Sequence, residues 1–220
     1  MLEKITIKAP AKLNLFLRVL RKRKDNYHDI RSGVTLINLF DEVEIIKHHS
    51  TDVSYFGEFS PKEGFYEDCI IIRTLKYLNV ENNFKIKVRI KKNIPVQGGL
   101  GSASTNAAAL IIGLNKLNLV KIRNDYKYYA SLGADIPIFL FKKNCLVAGL
   151  GEKLYKQQYP KYFFLLIKPN INFSTRKMYE YLSKKNYFSL ENIENDKINM
   201  INDDDNGNDF EKVAIEENFE

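Results

Sequence analysis

Pro95-Val96-Gln97-Gly98-Gly99-Leu100-Gly101-Ser102-Ala103-Ser104-Thr105-Asn106 stands between two segments of different periodicity. Upstream, Lys85-Ile86-Lys87-Val88-Arg89-Ile90-Lys91 alternates cationic and apolar residues. That pattern predicts a strand with one face buried and one in water, as in an antiparallel sheet. Downstream, Ala107, Leu110, Ile111, Leu114 and Leu117 recur at helical spacing and predict the strongest helix in the sequence. Glycines in such a strand-to-helix connection let backbone N–H groups turn inward with no Cβ in the way, and the helix N-terminus adds positive potential. The segment is therefore a candidate phosphate cradle. The alternative is a glycine-rich connection with ordinary Ser or Asn capping. No Gly-Lys-Ser/Thr closes it and it lacks the dinucleotide GxGxxG spacing, so neither of those nucleotide fingerprints applies.

Working outward, Ile5 and Ile7, then Leu13, Leu15, Leu17 and Val19, repeat at period two and predict paired strands, with a turn at Asp25-Asn26. Further strands are expected at Val34–Leu39, Val43–Ile46, Cys145–Ala148 and Tyr162–Ile167. Helices are expected from Asp68 to Leu78, from an Asn124 cap through Leu132 to a stop at Gly133, and from a Ser174 cap through Met178, Tyr179 and Leu182. Residues 194–208, rich in Asn and Asp, read as a mobile loop. Phe210, Val213 and Ala214 begin an apolar segment for which the sequence leaves little to pack against.

At 220 residues the chain can bury a self-sufficient core in one domain or two small ones. Hydrophobic residues at 45% and charged residues at 28% exclude collagen-like, coiled-coil and wholly disordered classes. Cys69 and Cys145 have neither CxxC spacing nor histidine companions, which argues against a disulfide framework or a structural zinc site. No cationic leader with an apolar stretch opens the chain, and no apolar run reaches the ~20 residues of a membrane span, so a cytoplasmic protein is expected. Residues 201–220 hold eight of the 27 acids and one of the 34 bases, so that stretch carries −7 and the preceding residues +14. A body this basic suits an anionic partner: nucleic acid, a nucleotide or a phosphorylated substrate.

Two smaller constellations stand out. In Ala9-Pro10-Ala11-Lys12-Leu13-Asn14-Leu15, Lys12 and Asn14 share one face of an otherwise apolar strand. An edge-strand lysine facing solvent is the plainer reading. In Leu132-Gly133-Ala134-Asp135-Ile136-Pro137, a single acid lies among apolar neighbours, where a local Asx cap is the plainer reading.

In their order along the chain, Pro10-Ala11-Lys12-Leu13-Asn14, Asn26-Tyr27-His28, the Gly-Leu-Gly101 loop with Ser104-Thr105-Asn106, Leu132-Gly133-Ala134-Asp135-Ile136-Pro137 and Gly149-Leu150-Gly151-Glu152 resemble the GHMP kinases. Tyr-His after the turn, together with Gly-Ala-Asp-Ile-Pro, is most similar to the branch acting on 4-diphosphocytidyl-2-C-methyl-D-erythritol in the non-mevalonate isoprenoid pathway. The resemblance covers about residues 4–182 and reappears at Asn208-Asp209-Phe210-Glu211.

This resemblance implies an α+β, two-domain GHMP-kinase fold. It has a ribosomal-protein-like, ATP-binding N-terminal domain over residues 1–150 and an incomplete C-terminal substrate domain over 151–220. It implies ATP-dependent phosphorylation of the substrate's 2-hydroxyl, with Mg²⁺ accompanying ATP and no residue assigned as a metal ligand. The ATP loop maps to Pro95, Val96, Gln97, Gly98, Gly99, Leu100, Gly101, Ser102, Ala103, Ser104 and Thr105, with Lys92 near the adenine. The catalytic pair maps to Lys12 and Asp135. Asp135 would accept the proton of the attacking hydroxyl, and Lys12 would stabilise charge on the migrating phosphoryl. Tyr27, His28 and Tyr179 fall where the family stacks and reads cytosine, and Asn14 and Thr175 fall at polar substrate contacts.

The chain departs from the family at Ser102 and Ala103, where glycine is usual, at Tyr179 for phenylalanine and at Cys69 for asparagine. It also ends at Glu220, before a late Gly-Thr-Gly-Ala type loop. A small-molecule cytidyl diphosphate partner, no nucleic acid, no membrane, and a monomer or weak dimer are expected. The alternatives are a degenerate nucleotide-binding GHMP protein without turnover, which the early end favours, and an RNA-binding module, which the +14 body favours.

Overall fold

The computed structural model describes residues 3–61, 69–168, 175–185 and 207–218. Two long strands open the chain, β1 (Lys4–Lys22) and β2 (His28–Lys47), and they pair with each other. Asn26 takes φ +66° in the turn between them, a conformation that asparagine tolerates. Two strands were expected over the second of these spans, interrupted near Phe40-Asp41, and the structure shows one. The reason is that Asp41 continues the period-two buried face of Val43 and Ile45 instead of breaking it.

The chain divides into two compact units, Met1–Lys12 with Leu36–Lys142, and Leu13–Thr35 with Lys143–Glu220. A single cut near residue 150 does not describe this division, because β1 and β2 each contribute to both units.

In the first unit, β2 pairs antiparallel with β4 (Ile86–Lys91), which pairs parallel with β3 (Asp52–Phe56). The register sets Val43 opposite Ile90 and Ile45 opposite Val88, so every apolar residue of the alternating strand falls on the buried face. The cationic face is outside. There Arg89 pairs with Glu44 at 3.2 Å and Lys87 with Asp52 at 3.5 Å. Helices α1 (Ile70–Tyr77), α2 (Val80–Asn83) and α3 (Ser102–Lys116) supply Ile71, Leu75, Val80, Leu110 and Leu114 to that core. A second cluster joins Ala107, Ala108 and Ile111 of α3 to Tyr129 of α4 (Tyr126–Ala130) and to Ile136 and Phe139 of α5 (Ile136–Phe141). Asp125, not Asn124, caps α4, accepting from the Tyr128 amide at 3.3 Å. Helix α5 was not expected. Pro137 in its first turn presets a helical φ, and three of its apolar side chains are buried.

In the second unit, β2 pairs antiparallel with β5 (Cys145–Gly149), which makes a hairpin with β6 (Lys153–Lys156). Helices α6 (Thr175–Lys185) and α7 (Asp209–Asn218) bring Met178, Leu182 and Val213 onto Val19. The apolar segment at Phe210–Ala214 therefore has a core to join, contrary to the sequence expectation. The buried Asp209 carboxylate accepts from the Val19 amide at 2.7 Å and from the Arg18 guanidinium at 3.1 Å, while Leu17 bridges Asn208. Of the loop read at 194–208, only Gly207 and Asn208 are described, and Asn208 is held in that bridge; 194–206 lie outside the described residues.

The strand expected at Tyr162–Ile167 does not form. A strand needs a ladder partner for its backbone groups, and among the described residues none pairs with this run, leaving Phe163, Leu165 and Ile167 exposed. The helix start read at Asp68 and the cap read at Ser174 lie outside the described residues. No described helix is long and apolar enough to cross a membrane.

Candidate active site

The glycine-rich connection leaves β4 at Lys91 and enters α3 at Ser102. Its shape depends on left-handed backbone at Gln97, Gly99 and Gly101, with φ of +57°, +70° and +72°. At Gly99 a Cβ would meet nothing within 4 Å among the described residues, so the backbone there is not packed against them. At Gly101 a Cβ would meet Phe139 Cζ at 2.6 Å and Lys12 Cγ at 3.2 Å, so only glycine fits. Gly101 occupies the N-cap position of α3 with no side-chain cap, and the first intrahelical bond runs from the Thr105 amide to the Gly101 carbonyl at 2.9 Å. The amides from Gly101 to Ser104 precede that bond, which is the donor set that anionic oxygens favour at a helix start. Just beyond, Thr105 Oγ1 and Asn106 Oδ1 are buried with no hydrogen-bond partner among the described residues.

Lys12 lies against this loop. Its amide donates to the Leu100 carbonyl at 3.1 Å, and its Nζ stands 3.6 Å from Asp135 Oδ2. The lysine is buried, whereas the Asp135 side chain keeps 35% of its exposure. Asp135 takes the N-cap position of α5 but makes no capping bond, so its carboxylate is not committed to the helix and the Asx-cap reading does not hold. Nor is Lys12 an edge lysine in solvent.

Lys92, 3% exposed, directs its ammonium onto the fully buried Asp41 carboxylate and the Ser102 hydroxyl. Burial pushes the Lys92 pKa below its ordinary value, and the charge and hydrogen bond of Asp41 oppose that shift. Asp41 Oδ1 also accepts from the amides of Asn93 at 2.7 Å and Ile94 at 2.8 Å. Asp41 escaped the sequence reading. The available signal was one acid in phase with Val43 and Ile45 on a strand's apolar face. Cys69, half-buried, holds the N-cap position of α1.

The other positions lie in the second unit. His28 stacks on Tyr179, with ring centroids 4.7 Å apart and planes 13° from parallel, and Phe210 meets the far ring edge-on at 4.9 Å. His28 Nε2 is 2.8 Å from Ser183 Oγ, and that hydroxyl donates to the Tyr179 carbonyl at 2.8 Å. Burial lowers the His28 pKa, with the Lys22 charge adding to the effect, so the ring is neutral at pH 7. Tyr27 extends into solvent at 65% exposure. The turn carrying it is fixed by the Tyr27 amide on Asp25 and by Arg21 and Arg23 on Asp29. Asn14 donates to Ser32 Oγ at 3.1 Å, which in turn donates to the Phe16 carbonyl at 2.6 Å. Thr175 opens α6, and its side chain lies outside the described residues. Ser183 was not singled out from sequence; its spacing of i+4 from Tyr179 was the signal.

The structure thus brings the loop, Lys12 and Asp135 together in one unit, and His28, Tyr179 and Ser183 in the other. Residues 69–143 match the GHMP kinases N terminal domain. A 4-diphosphocytidyl-2-C-methyl-D-erythritol kinase of Francisella tularensis subsp. tularensis is 33% identical over 203 residues, covering 89% of this chain and 73% of its own length. The enzyme of that name from Syntrophus aciditrophicus is 37% identical over 185 residues, covering 81% of this chain and 65% of its own. A solved 4-(cytidine 5'-diphospho)-2C-methyl-D-erythritol kinase superposes with a TM-score of 0.65 at 24% identity, over 84% of this chain and 66% of that one. The superposition carries the fold, and the sequence identity over most of both chains carries the kinship. On that identity, the chain belongs to the 4-diphosphocytidyl-2-C-methyl-D-erythritol kinase family within the GHMP kinases.

Proposed function

We propose that this chain transfers the γ-phosphoryl group of ATP to the 2-hydroxyl of 4-diphosphocytidyl-2-C-methyl-D-erythritol. The observation that supports this best is the Lys12–Asp135 pair at 3.6 Å, with Lys12 hydrogen-bonded through its amide to the glycine loop. Phosphoryl transfer asks a protein for positioning and charge stabilisation rather than covalent chemistry. The loop amides at the start of α3 hold the phosphates. The Lys12 ammonium, fixed by burial, stabilises negative charge on the group in flight, where a preorganised cation acts most strongly. Asp135 accepts the hydroxyl proton as the oxygen attacks phosphorus, and the bond to the bridging oxygen of ADP breaks.

ATP fits the residues present, because the unpacked side of Gly99 and the uncapped start of α3 are what a polyphosphate requires. Mg²⁺ would arrive on the phosphates and neutralise their charge. Among the described residues no group of three acidic, histidine or cysteine side chains could hold a metal ion. In the second unit, His28 and Tyr179 carry recognition of the cytosine ring, and Tyr27 offers an exposed face for stacking. An RNA-binding role is less favoured, since Lys87 and Arg89 on the cationic face are already paired with acids.

The deciding measurement is ADP release by the full chain with and without the cytidyl substrate. Substrate-dependent release supports the kinase. ATP binding with no turnover in either case identifies a degenerate relative and ends this reading.

A further inference from the structure

Asp41 belongs to none of the positions matched to the family's ATP loop, catalytic pair or substrate contacts, yet it is the most completely buried charged side chain near the loop. Its two oxygens divide their work. Oδ1 receives the amides of Asn93 and Ile94, where the chain leaves β4. Oδ2 receives the ammonium of Lys92, and Lys92 also donates to the hydroxyl of Ser102, the first residue of α3. The Ser102 hydroxyl in turn lies 3.4 Å from Asp41 Oδ2. The Asn93 side-chain amide adds a tie to the Phe40 carbonyl at 3.0 Å. One carboxylate on β2 thereby fastens the entry of the phosphate loop directly and its exit through Lys92.

Between the two fastenings run Pro95 to Gly101, including the three left-handed residues. Such a stretch has many accessible conformations when its ends are loose, and ordering it during ATP binding costs affinity. A closed clasp removes that cost in advance. The ion pair sits in a low-dielectric interior, where its geometry is enforced because every alternative strands a charge.

We propose that Asp41 is a positioning residue for the nucleotide. Through Lys92 and Ser102 it holds the Pro95–Gly101 loop in its phosphate-binding shape while touching no substrate. This rests on the kinase reading, and it assigns the Lys92 ammonium and the Ser102 hydroxyl to the clasp and not to the ligand.

Two variants of the full chain test it. Ser102→Ala cuts the exit tie and leaves the ion pair intact. The double variant Asp41→Asn/Lys92→Met removes both charges together, so neither is stranded, and Asn keeps an acceptor for the loop-entry amides. For each, the ATP dissociation constant in Mg²⁺ buffer is measured by calorimetry, alongside hydrogen exchange of the 95–101 amides in nucleotide-free protein. The clasp predicts an ATP constant raised about tenfold or more, faster loop exchange without nucleotide, and unchanged binding of the cytidyl substrate. If a folded variant binds ATP within about twofold of wild type, the inference falls even where thermal stability has dropped. Weaker ATP binding by Ser102→Ala with unaltered loop exchange also overturns it, because the hydroxyl would then be a direct phosphate contact. If the double variant fails to fold, Ser102→Ala alone decides. Failure of wild-type protein to bind ATP is a separate outcome that overturns the kinase reading together with this inference.

Discussion

The ammonium of Lys12 and the carboxylate of Asp135 face each other at 3.6 Å, one buried and the other with a third of its side chain exposed. That asymmetry suits a fixed cation beside an acid that a substrate hydroxyl can reach. Asp135→Asn and Lys12→Met are each expected to lower turnover by at least ~10²-fold, with ATP still protecting the protein against heat. Turnover close to wild type in either variant would remove the pair from the chemistry.

The two left-handed glycines of the loop differ in their surroundings, and so should their substitutions. Gly99→Ala pays only the backbone strain of a positive φ, about 1–3 kcal/mol. Gly101→Ala adds a collision with the buried Phe139 ring and with Lys12, and is expected to lose more stability and nearly all ATP affinity. Urea denaturation and ATP titration of both variants check the order. Equal losses would mean that Phe139 yields at little cost.

His28 carries a pH signature. Its pKa is held below 6.5 by burial first and by the Lys22 charge second, so the unfolded chain takes up the proton before the folded one. The contribution of neutral His28 to stability, and under its proposed role to cytidyl binding, is complete above pH 6.5. It is lost as pH falls through the folded-state value. Affinity for the cytidyl substrate is therefore expected to be flat from pH 7 to 8 and to weaken in acid, and His28→Gln should flatten the profile. Tyr179→Ala should weaken that binding by about 1–3 kcal/mol as a lost stacking surface. A His28 NMR resonance that titrates above pH 6.5 would contradict the assignment.

Asp209 fastens α7 to β1 through the Val19 amide and the Arg18 guanidinium. Asp209→Ala withdraws a buried acceptor from both, at a cost of about 3 kcal/mol, and is expected to loosen the second unit's core around Val213. Amide exchange at Val19 should rise sharply. Unchanged protection there would show that α7 is seated by apolar contact alone.

Much of this is legible in the amino-acid sequence alone. The alternation at Ile86–Lys91 and the helical spacing beyond Thr105 each follow from one buried face, and the structure has both. Lys12 and Asp135 were found through motif order, since neither spacing nor propensity places residues so far apart in sequence side by side. What escaped was non-local. Asp41 looked like a break in an apolar run because its partners, Lys92 and Ser102, come from other elements. The run Tyr162–Ile167 has every local mark of a strand, but a strand is a property of two segments and a sequence window sees one. The core around Val213 was missed for the same reason, because Val19 lies almost the whole chain away.

The interleaving of the two units also sets a timetable for synthesis. The strands at 13–35 leave the ribosome early, yet the rest of their unit begins at Lys143, roughly 110 residues later. At ~5–20 residues per second, that is a wait of about 5–20 s during which Leu17 and Val19 have no native neighbours from the later segments. Folding of the first unit in the meantime would carry the leading half of β1 and the trailing half of β2 into place while their other halves are still unsatisfied. Nascent chains halted between residues 143 and 207 are therefore the ones expected to lean on chaperones.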